Sequence, residues 1–291
     1  MISSNTSFLA LIGNPVSHSL SPIMQNAAIK YLGLDLVYLA LPCKPDDFNS
    51  VINTLKKINC KGLNITIPFK EKAFKLCNEI SPIASKVKAI NTLKLNENNE
   101  WSATNTDIDG FTYPLKKFKL TNKKGTILGS GGAARAAVQG LLNLNLSEIN
   151  VISRNKNSLA RLLKDFEGDL KINGFMENNN LNSELIENSD LIVNSTPVGM
   201  DSLSIKEESL PFGKQIWKSL NSQTIIYDLI YKPRVTPLLK LGRKKNCITI
   251  DGLEMLIAQG AKSLSYWNDG LDIPIEVMKN AIENYLLKNN K

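Results

Sequence analysis

The chain contains few of the residues from which metal sites, disulfide frameworks and histidine-based catalysts are built. Its 291 residues include four cysteines and one histidine. The cysteines, at positions 43, 60, 77 and 247, show no CxxC spacing and no histidine cluster, so we expect no metal site and no disulfide framework. Because His18 is the single histidine, any other proton-transfer group must be a Lys, Asp, Glu or Tyr side chain.

Long apolar runs are also missing. No segment approaches the length needed to cross a membrane, and the N-terminus has no basic-then-apolar signal pattern. We therefore expect a cytoplasmic protein without membrane contact. The apolar fraction of 43% and the charged fraction of 21% are typical of a globular protein, and the length allows two domains with a substantial core.

The net charge of +8 would suit a nucleic-acid binder, but the pattern of charge does not. The lysines are scattered and seldom alternate with aromatic residues. The densest group lies between residues 116 and 124, just before a predicted strand. A solvated surface linker explains it better, with general attraction for anionic ligands as a by-product. We expect no nucleic-acid partner.

A glycine-rich turn is the most informative positive feature. The β-branched and aliphatic segment 126–128 leads into Gly129, Ser130, Gly131 and Gly132, and an Ala-rich helix is predicted from Ala133 to Leu142. This order fits the phosphate-binding turn of a dinucleotide-binding unit, in which the helix N-terminus presents free N–H groups to a pyrophosphate. Such turns also occur as plain packing devices, and that alternative stays open on the turn alone.

The end of the next predicted strand bears on cofactor choice. An NAD-selective chain places Asp or Glu roughly 20–25 residues after the first glycine, but this chain has Ser153 and Arg154 there. A carboxylate would repel a 2′-phosphate, whereas a guanidinium can pair with it. The sequence therefore favours NADP. A solvated arginine at a strand end is the alternative.

Alternating strand and helix patterns predict an α/β fold with two domains. Before the glycine turn we predict a helix from Ile23 to Leu32 with Ser21 as N-cap, helices over Asp46–Ile58 and Glu71–Cys77, and a hairpin around residues 96–100. In open α/β sheets ligands bind at the carboxyl ends of strands. That rule alone selects several candidate segments: residues 13–21, 66–70, 105–109, 129–133, 153–156, 195–200 and 229–231.

Several motifs in order along nearly the whole chain resemble the shikimate dehydrogenase family. They are residues 12–22 (IGNPVSHSLSP), 64–70 (NITIPFK), 89–92 (AINT), 105–110 (NTDIDG), the glycine turn, 194–197 (NSTP) and 251–259 (DGLEMLIAQ). The resemblance implies an N-terminal α/β substrate domain of residues 1–106 with 252–291. It also implies a Rossmann-like, doubly wound NADP-binding domain of residues 107–251, with the C-terminal helices returning to the first domain.

The resemblance also implies the reaction and its residues. NADPH would reduce the C3 carbonyl of 3-dehydroshikimate, with Lys70 and Asp107 as the proton-transfer pair. Spacing alone does not choose between Asp107 and Asp109; the family pattern favours Asp107. We expect the substrate to be bound by Ser19, Ser21, Thr66, Asn91, Tyr231 and Gln259. We expect the cofactor to be held by Gly129, Ser130, Gly131, Gly132, Ala133, Ser153, Arg154, Asn155, Lys156, Thr196, Leu229 and Gly252.

The cofactor motif departs from the family pattern. The family reads Asn-Arg-Thr/Ser with a second basic residue a few positions later, whereas this chain has Ser153-Arg154-Asn155 and then Ser158, with Lys156 as a substitute. This affects the strength of the NADP preference. The alternatives are an NAD-dependent quinate and shikimate dehydrogenase or a non-catalytic ligand sensor on the same fold. We expect a small-molecule substrate and a monomer or homodimer.

Overall fold

The computed structural model describes residues 2–58, 60–169, 171–200 and 209–289. In chain order the described strands are β1 Ser7–Gly13, β2 Leu36–Pro42, β3 Cys60–Ile65, β4 Glu79–Ile80, β5 Thr92–Leu95, β6 Trp101–Thr104, β7 Lys124–Leu128, β8 Glu148–Ser153, β9 Ile172–Met176, β10 Leu191–Asn194, β11 Ile225–Asp228 and β12 Ile248–Ile250. The helices are α1 Ser21–Tyr31, α2 Phe48–Lys57, α3 Lys70–Phe74, α4 Pro82–Val87, α5 Asp107–Thr112, α6 Gly132–Asn143, α7 Lys156–Asp165, α8 Asn179–Glu187, α9 Pro237–Lys244, α10 Leu253–Trp267 and α11 Ile275–Asn289.

The chain divides into two compact units. The first runs to Gly110 and resumes at Ile257, and the second spans Phe111–Leu256. Each boundary lies a few residues later than the sequence-based one and falls inside a helix, where the pattern of residues carries no boundary signal. As a result Asp107 belongs to the first unit and Gly252 to the second.

The first unit contains a mixed sheet with the strand order β2-β1-β3-β5-β6-β4. Strands β1, β2 and β3 are parallel, whereas β5 is antiparallel to both β3 and β6. The apolar run of β1 is buried from Leu9 onward because a parallel strand is covered on both faces. Helix α11 packs against α1, so the C-terminal helices return to the first unit as expected.

The second unit is a parallel sheet with the order β12-β11-β10-β7-β8-β9. This is the doubly wound order. The order in which successive strands are added to the sheet reverses between β7 and β10, although all the strands are parallel. The small residues of α6 let that helix pack closely on its strand, since Ala134, Ala136 and Ala137 are fully buried. The predicted fold class is confirmed.

Some predicted elements are wrong in detail. Ser21 is the first residue of α1 and does not cap it through its side chain; Leu20 is the N-cap. The Ser19 hydroxyl instead accepts a hydrogen bond from the Ser21 N–H at 3.2 Å, so the serine two positions earlier satisfies that donor. Helices α2 and α3 are both shorter than the predicted spans.

Candidate active site

The Lys70 side chain is placed by the buried aromatic residue before it. Phe69 stacks on Phe48 with ring centroids 4.4 Å apart, and both rings are buried. Helix α3 begins at Lys70, and the Lys70 carbonyl accepts a hydrogen bond from Ile90 N–H at 3.0 Å. The aromatic pair and this backbone bond fix the base of the lysine next to the segment that carries Asn91.

Lys70 and Asp107 form a close ion pair. Lys70 Nζ lies 2.5 Å from Asp107 Oδ2, and their side chains are 15% and 6% exposed. Asp107 is the first residue of α5, and its N–H donates to Asn105 Oδ1 at 3.0 Å. Asp109, the other carboxylate left open by spacing, is exposed. The fold therefore pairs the lysine with Asp107.

The Asn91 amide links the ion pair to the end of the sheet. Its Nδ2 donates to Asp107 Oδ1 and to Thr106 Oγ1, both at 2.9 Å, and lies 3.3 Å from Gln259 Oε1. Its Oδ1 accepts from Thr106 N–H at 2.8 Å. One asparagine therefore orients the carboxylate that holds Lys70. Three residues expected at the site, Asn91, Asp107 and Gln259, are in one hydrogen-bonded group.

A buried polar network centred on Ser263 adjoins the group of Asn91, Asp107 and Gln259. Ser263 Oγ lies 2.9 Å from Thr92 Oγ1 and 3.0 Å from Thr106 Oγ1, and accepts from Asn64 Nδ2 at 3.0 Å. It also donates to the Gln259 carbonyl at 2.9 Å. These groups are buried and satisfy one another, which is the condition under which a buried polar network fixes a single geometry.

The remaining substrate candidates are more dispersed. Thr66 follows β3, and its N–H donates to the Ile12 carbonyl at 2.9 Å. Ser19 lines a pocket of about 370 Å³ with Asn14, Ser17 and Pro22. Among the described residues no hydrogen bond joins Ser19 or Ser21 to Lys70 or Asp107. Tyr231 is half-buried and belongs to the second unit.

The glycine turn in the second unit has the geometry of an anion-binding turn. Gly129 adopts φ +107, and a Cβ there would lie 2.8 Å from Ser195 Oγ, so only glycine fits. Gly131 is the N-cap of α6 without a side-chain cap, and a Cβ on it would meet open space. The N-terminal N–H groups of α6 therefore have no competing side-chain acceptor, which is the arrangement by which helix N-termini bind anions.

A closed set of hydrogen bonds joins this turn to the end of β8. The hydroxyls of Ser130 and Ser153 lie 2.8 Å apart, and Ser153 Oγ accepts from Asn155 N–H at 3.1 Å. Asn155 Oδ1 caps α7 by accepting from Ser158 N–H at 2.9 Å, and Ser158 Oγ donates to the Ser130 carbonyl at 2.8 Å. At the position where the family pattern has a second basic residue, Ser158 therefore contributes a hydrogen bond to the turn and no charge.

The Arg154 side chain takes no part in these hydrogen bonds and lies at the surface. It is exposed, as is Lys156, the first residue of α7. The Arg154 guanidinium lies over the Phe212 ring, with Cζ 5.7 Å from the ring centroid. A guanidinium held against an aromatic face keeps its edge N–H groups available for an anion.

The loops after β10 and β11 share a buried carboxylate. Asp228 accepts from Asn194 Nδ2 at 2.9 Å, from Thr236 Oγ1 at 2.7 Å and from Ile230 N–H at 3.2 Å. Asn194 Oδ1 in turn accepts from the Thr196 hydroxyl at 2.7 Å. Burial raises the pKa of the Asp228 carboxyl to about 6, against the lowering effect of these hydrogen bonds. Asp228 therefore fixes the loop of Thr196.

Gly252 contacts the same region by close approach of two backbones. A Cβ on Gly252 would lie 2.1 Å from the Leu229 carbonyl oxygen, and its N–H donates to the Ile230 carbonyl at 3.0 Å. Any larger residue would push the two segments apart. Thr196, Leu229 and Gly252 are thus brought together around Asp228 at the carboxyl ends of β10, β11 and β12.

Comparison with known proteins agrees with this architecture. A family model described as the shikimate dehydrogenase substrate binding domain matches residues 11–93, and one described as the shikimate 5′-dehydrogenase C-terminal domain matches residues 252–283. A protein of Prochlorococcus marinus (strain MIT 9312) named shikimate dehydrogenase (NADP(+)) is 65% identical, over 98% of this chain and 100% of its own length. The chain belongs to the shikimate dehydrogenase family.

Solved structures of the family superimpose closely. A shikimate dehydrogenase crystallised in complex with NADP+ is 35% identical, with a TM-score of 0.86 over 98% of this chain and 97% of its own. The enzyme from Thermus thermophilus, in complex with NADP(H) and shikimate, is 28% identical, with a TM-score of 0.82 over 96% of this chain and 99% of its own. The similarity therefore extends over both units.

Sequence reasoning missed several residues that build the site. Asn64 and Thr106 stand inside motifs that were singled out, but only their neighbours were selected. Ser263 had one usable signal, since it lies one helical turn after Gln259 and so shares its face of α10. Asp228 also had a usable signal, since it is the last residue of the buried strand β11 and ligands bind at the carboxyl ends of strands. Phe212 had no signal, because its partner Arg154 is far away in sequence.

Two structural absences concern the part of the chain that the structure describes. Within it, no cluster of three or more His, Cys, Asp or Glu side chains is arranged to hold a metal ion. Within the same residues, no helix has the length and apolar character needed to cross a membrane.

Proposed function

We propose that the chain catalyses the NADPH-dependent reduction of 3-dehydroshikimate to shikimate, with Lys70 and Asp107 as its proton-transfer pair. Two findings support NADP-dependent shikimate dehydrogenase activity. They are the membership of the family and the names of relatives up to 65% identical over nearly the whole chain. The observation that carries the residue assignment is the Lys70–Asp107 ion pair, fixed by Asn91.

The ion pair is suited to protonating an alkoxide. A bound NADPH would supply the hydride, and negative charge would then develop on the former carbonyl oxygen. An ammonium has three N–H donors, and Asp107 takes one of them, so Lys70 can donate another to that oxygen and then transfer the proton. The lysine regains a proton from solvent. Asp107 keeps Nζ in place while its charge changes.

Binding of the substrate follows from the polar groups around this pair. Asn91, Thr66 and Gln259 would hydrogen-bond the ring hydroxyls. Ser19 and Ser21 would bind the carboxylate at the start of α1, where the helix N-terminus favours an anion. The Ser19 hydroxyl already accepts from the Ser21 N–H and can donate its own proton to a carboxylate.

The residues of the second unit fit NADP. The open N-terminus of α6 suits the pyrophosphate, with Gly129, Ser130, Gly132 and Ala133 forming the turn. Ser153 and Asn155 fix the end of β8, from which Arg154 and Lys156 would bind the 2′-phosphate. Thr196, Leu229 and Gly252 would line the nicotinamide end. Tyr231 would add a hydroxyl for the substrate carboxylate.

The test is turnover of the purified protein with 3-dehydroshikimate and NADPH, followed by loss of reduced-cofactor absorbance. NADH with the same substrate, and quinate with NAD, are measured in parallel. We expect turnover that prefers NADPH. Turnover mainly of quinate with NAD would contradict the proposal and place the chain in the sister branch. Cofactor binding without turnover of any pair would contradict it in favour of a ligand sensor.

A further inference from the structure

Phe212 is a buried platform under an exposed cation. The Phe212 side chain is 6% exposed and belongs to the same buried cluster as Leu128 and Ile152, from the ends of β7 and β8. The Arg154 guanidinium lies over its ring. Strands β7 and β8 are those whose carboxyl ends carry the glycine turn and Arg154, so the ring belongs to the same buried cluster as residues of the elements that present both groups.

The backbone at Phe212 is held in an unusual conformation. Its φ of +58 lies in the left-handed region, which bulky side chains rarely adopt. The turn is fixed by the Trp217 indole N–H, which donates to the Pro211 carbonyl at 3.0 Å, and by Gly213 N–H, which donates to the Leu210 carbonyl at 3.1 Å. Such strained residues persist only where the surroundings over-determine them, and they cluster at functional positions.

We propose that Phe212 is a positioning residue for cofactor specificity: its ring fixes the plane of the Arg154 guanidinium so that the edge N–H groups meet the 2′-phosphate. This rests on the proposed role of Arg154. An exposed arginine otherwise loses much rotamer entropy when it binds an anion, and stacking on a fixed ring removes part of that cost before the ligand arrives. Ser158 is neutral, and its hydroxyl is bonded to the Ser130 carbonyl, so it supplies no charge for a 2′-phosphate.

The experiment measures binding by titration calorimetry, with adenosine 2′,5′-bisphosphate and adenosine 5′-monophosphate as probes. The two ligands differ by the 2′-phosphate alone. The Kd of the monophosphate divided by the Kd of the bisphosphate therefore isolates recognition of that phosphate. In Phe212→Leu and Phe212→Met we expect that ratio to fall roughly two- to fivefold, the size of an exposed cation–π contact. Phe212→Tyr keeps the aromatic face and should keep the ratio.

Two controls separate positioning from loss of stability. Leu220→Ala removes buried apolar volume from the same cluster and should leave the ratio unchanged. In an Arg154→Ala background, Phe212→Leu should have no further effect on the ratio. If Phe212→Leu and Phe212→Met weaken both ligands equally, or act equally without Arg154, the proposal is overturned. If Arg154→Ala itself leaves the ratio intact, the role of Arg154 is wrong as well.

Discussion

The Lys70 site and the Arg154 site solve different problems with a cationic side chain. Lys70 is largely buried, and its carboxylate partner is fixed by Asn91 and backed by hydroxyls that bond one another. Arg154 is exposed and lies over one aromatic face, that of Phe212. Proton transfer requires an atom held at one place, whereas recognition of a phosphate tolerates solvent because the charge itself is recognised.

The largest expected effect tests whether Lys70 is catalytic. In Lys70→Ala we expect kcat to fall by about 10²–10⁴-fold, the usual contribution of a positioned acid or base, while the Kd for shikimate changes by a few-fold. Steady-state kinetics and calorimetry measure the two. Lys75→Ala, an exposed lysine beyond the same helix, is the matched control. Full turnover in Lys70→Ala would remove Lys70 from the mechanism.

A buried carboxylate whose described partners include no cation sharpens the comparison. Asp107 has Lys70, whereas Asp228 is held by Asn194, Thr236 and a backbone N–H. Burial raises the pKa of Asp228 from 3.8 to about 6. A raised pKa of an acid in the folded state means that its stabilising contribution is complete below the unfolded value and is lost as pH rises through the folded value.

Asp228→Asn removes this titration while keeping an acceptor for Asn194. The free energy of unfolding of the variant minus that of the unchanged protein should rise by up to about 3 kcal/mol from about pH 4 to about pH 7. Urea unfolding across that range measures it, and all other groups cancel in the difference. A difference that does not change with pH would show that Asp228 titrates normally.

The next prediction concerns the network beneath the Lys70 site. Ser263→Ala leaves Asn64, Thr92 and Thr106 short of one buried partner, so we expect a loss of about 1–3 kcal/mol in the free energy of unfolding and a lower kcat/KM. Ser265→Ala on the same helix is the control, since Ser265 is only half-buried. Equal stability of the two variants would mean that the network contributes nothing to the fold.

The smallest expected effect is the salt dependence of the KM for NADPH, which tests the Arg154 site. Because Arg154 is exposed, raising NaCl from about 0.05 to about 0.5 M should increase the KM for NADPH by about two- to fivefold through screening. In Arg154→Ala that dependence should flatten. The KM for NADH, which has no 2′-phosphate, is the internal reference. A salt dependence that is the same for both cofactors would contradict the assignment.

Local sequence signals predicted most of the fold. The polar turn at residues 96–100 identified the hairpin of β5 and β6, the glycine turn identified the start of α6, and motif order identified the family. Short or irregular elements were not predicted, such as β4 and α4, because their signals are weaker than the turn residues around them. The residue type of Ser21 predicted an N-cap, but α1 begins at Ser21 itself, and the N–H groups of Ile23 and Met24 donate to the Leu20 carbonyl.

What the sequence by itself determined was which chemical groups this protein has and in what order they follow strands. Those features are local and follow from side-chain type and backbone preference. Only the tertiary structure showed the contacts: the ion pair of Lys70 with Asp107, which the family pattern favoured but spacing did not choose, the bonds of Ser263 to Asn64 and Thr106, and the packing of Arg154 on Phe212. Each pair is far apart in sequence or ambiguous in spacing, and strand order and helix packing set its contact.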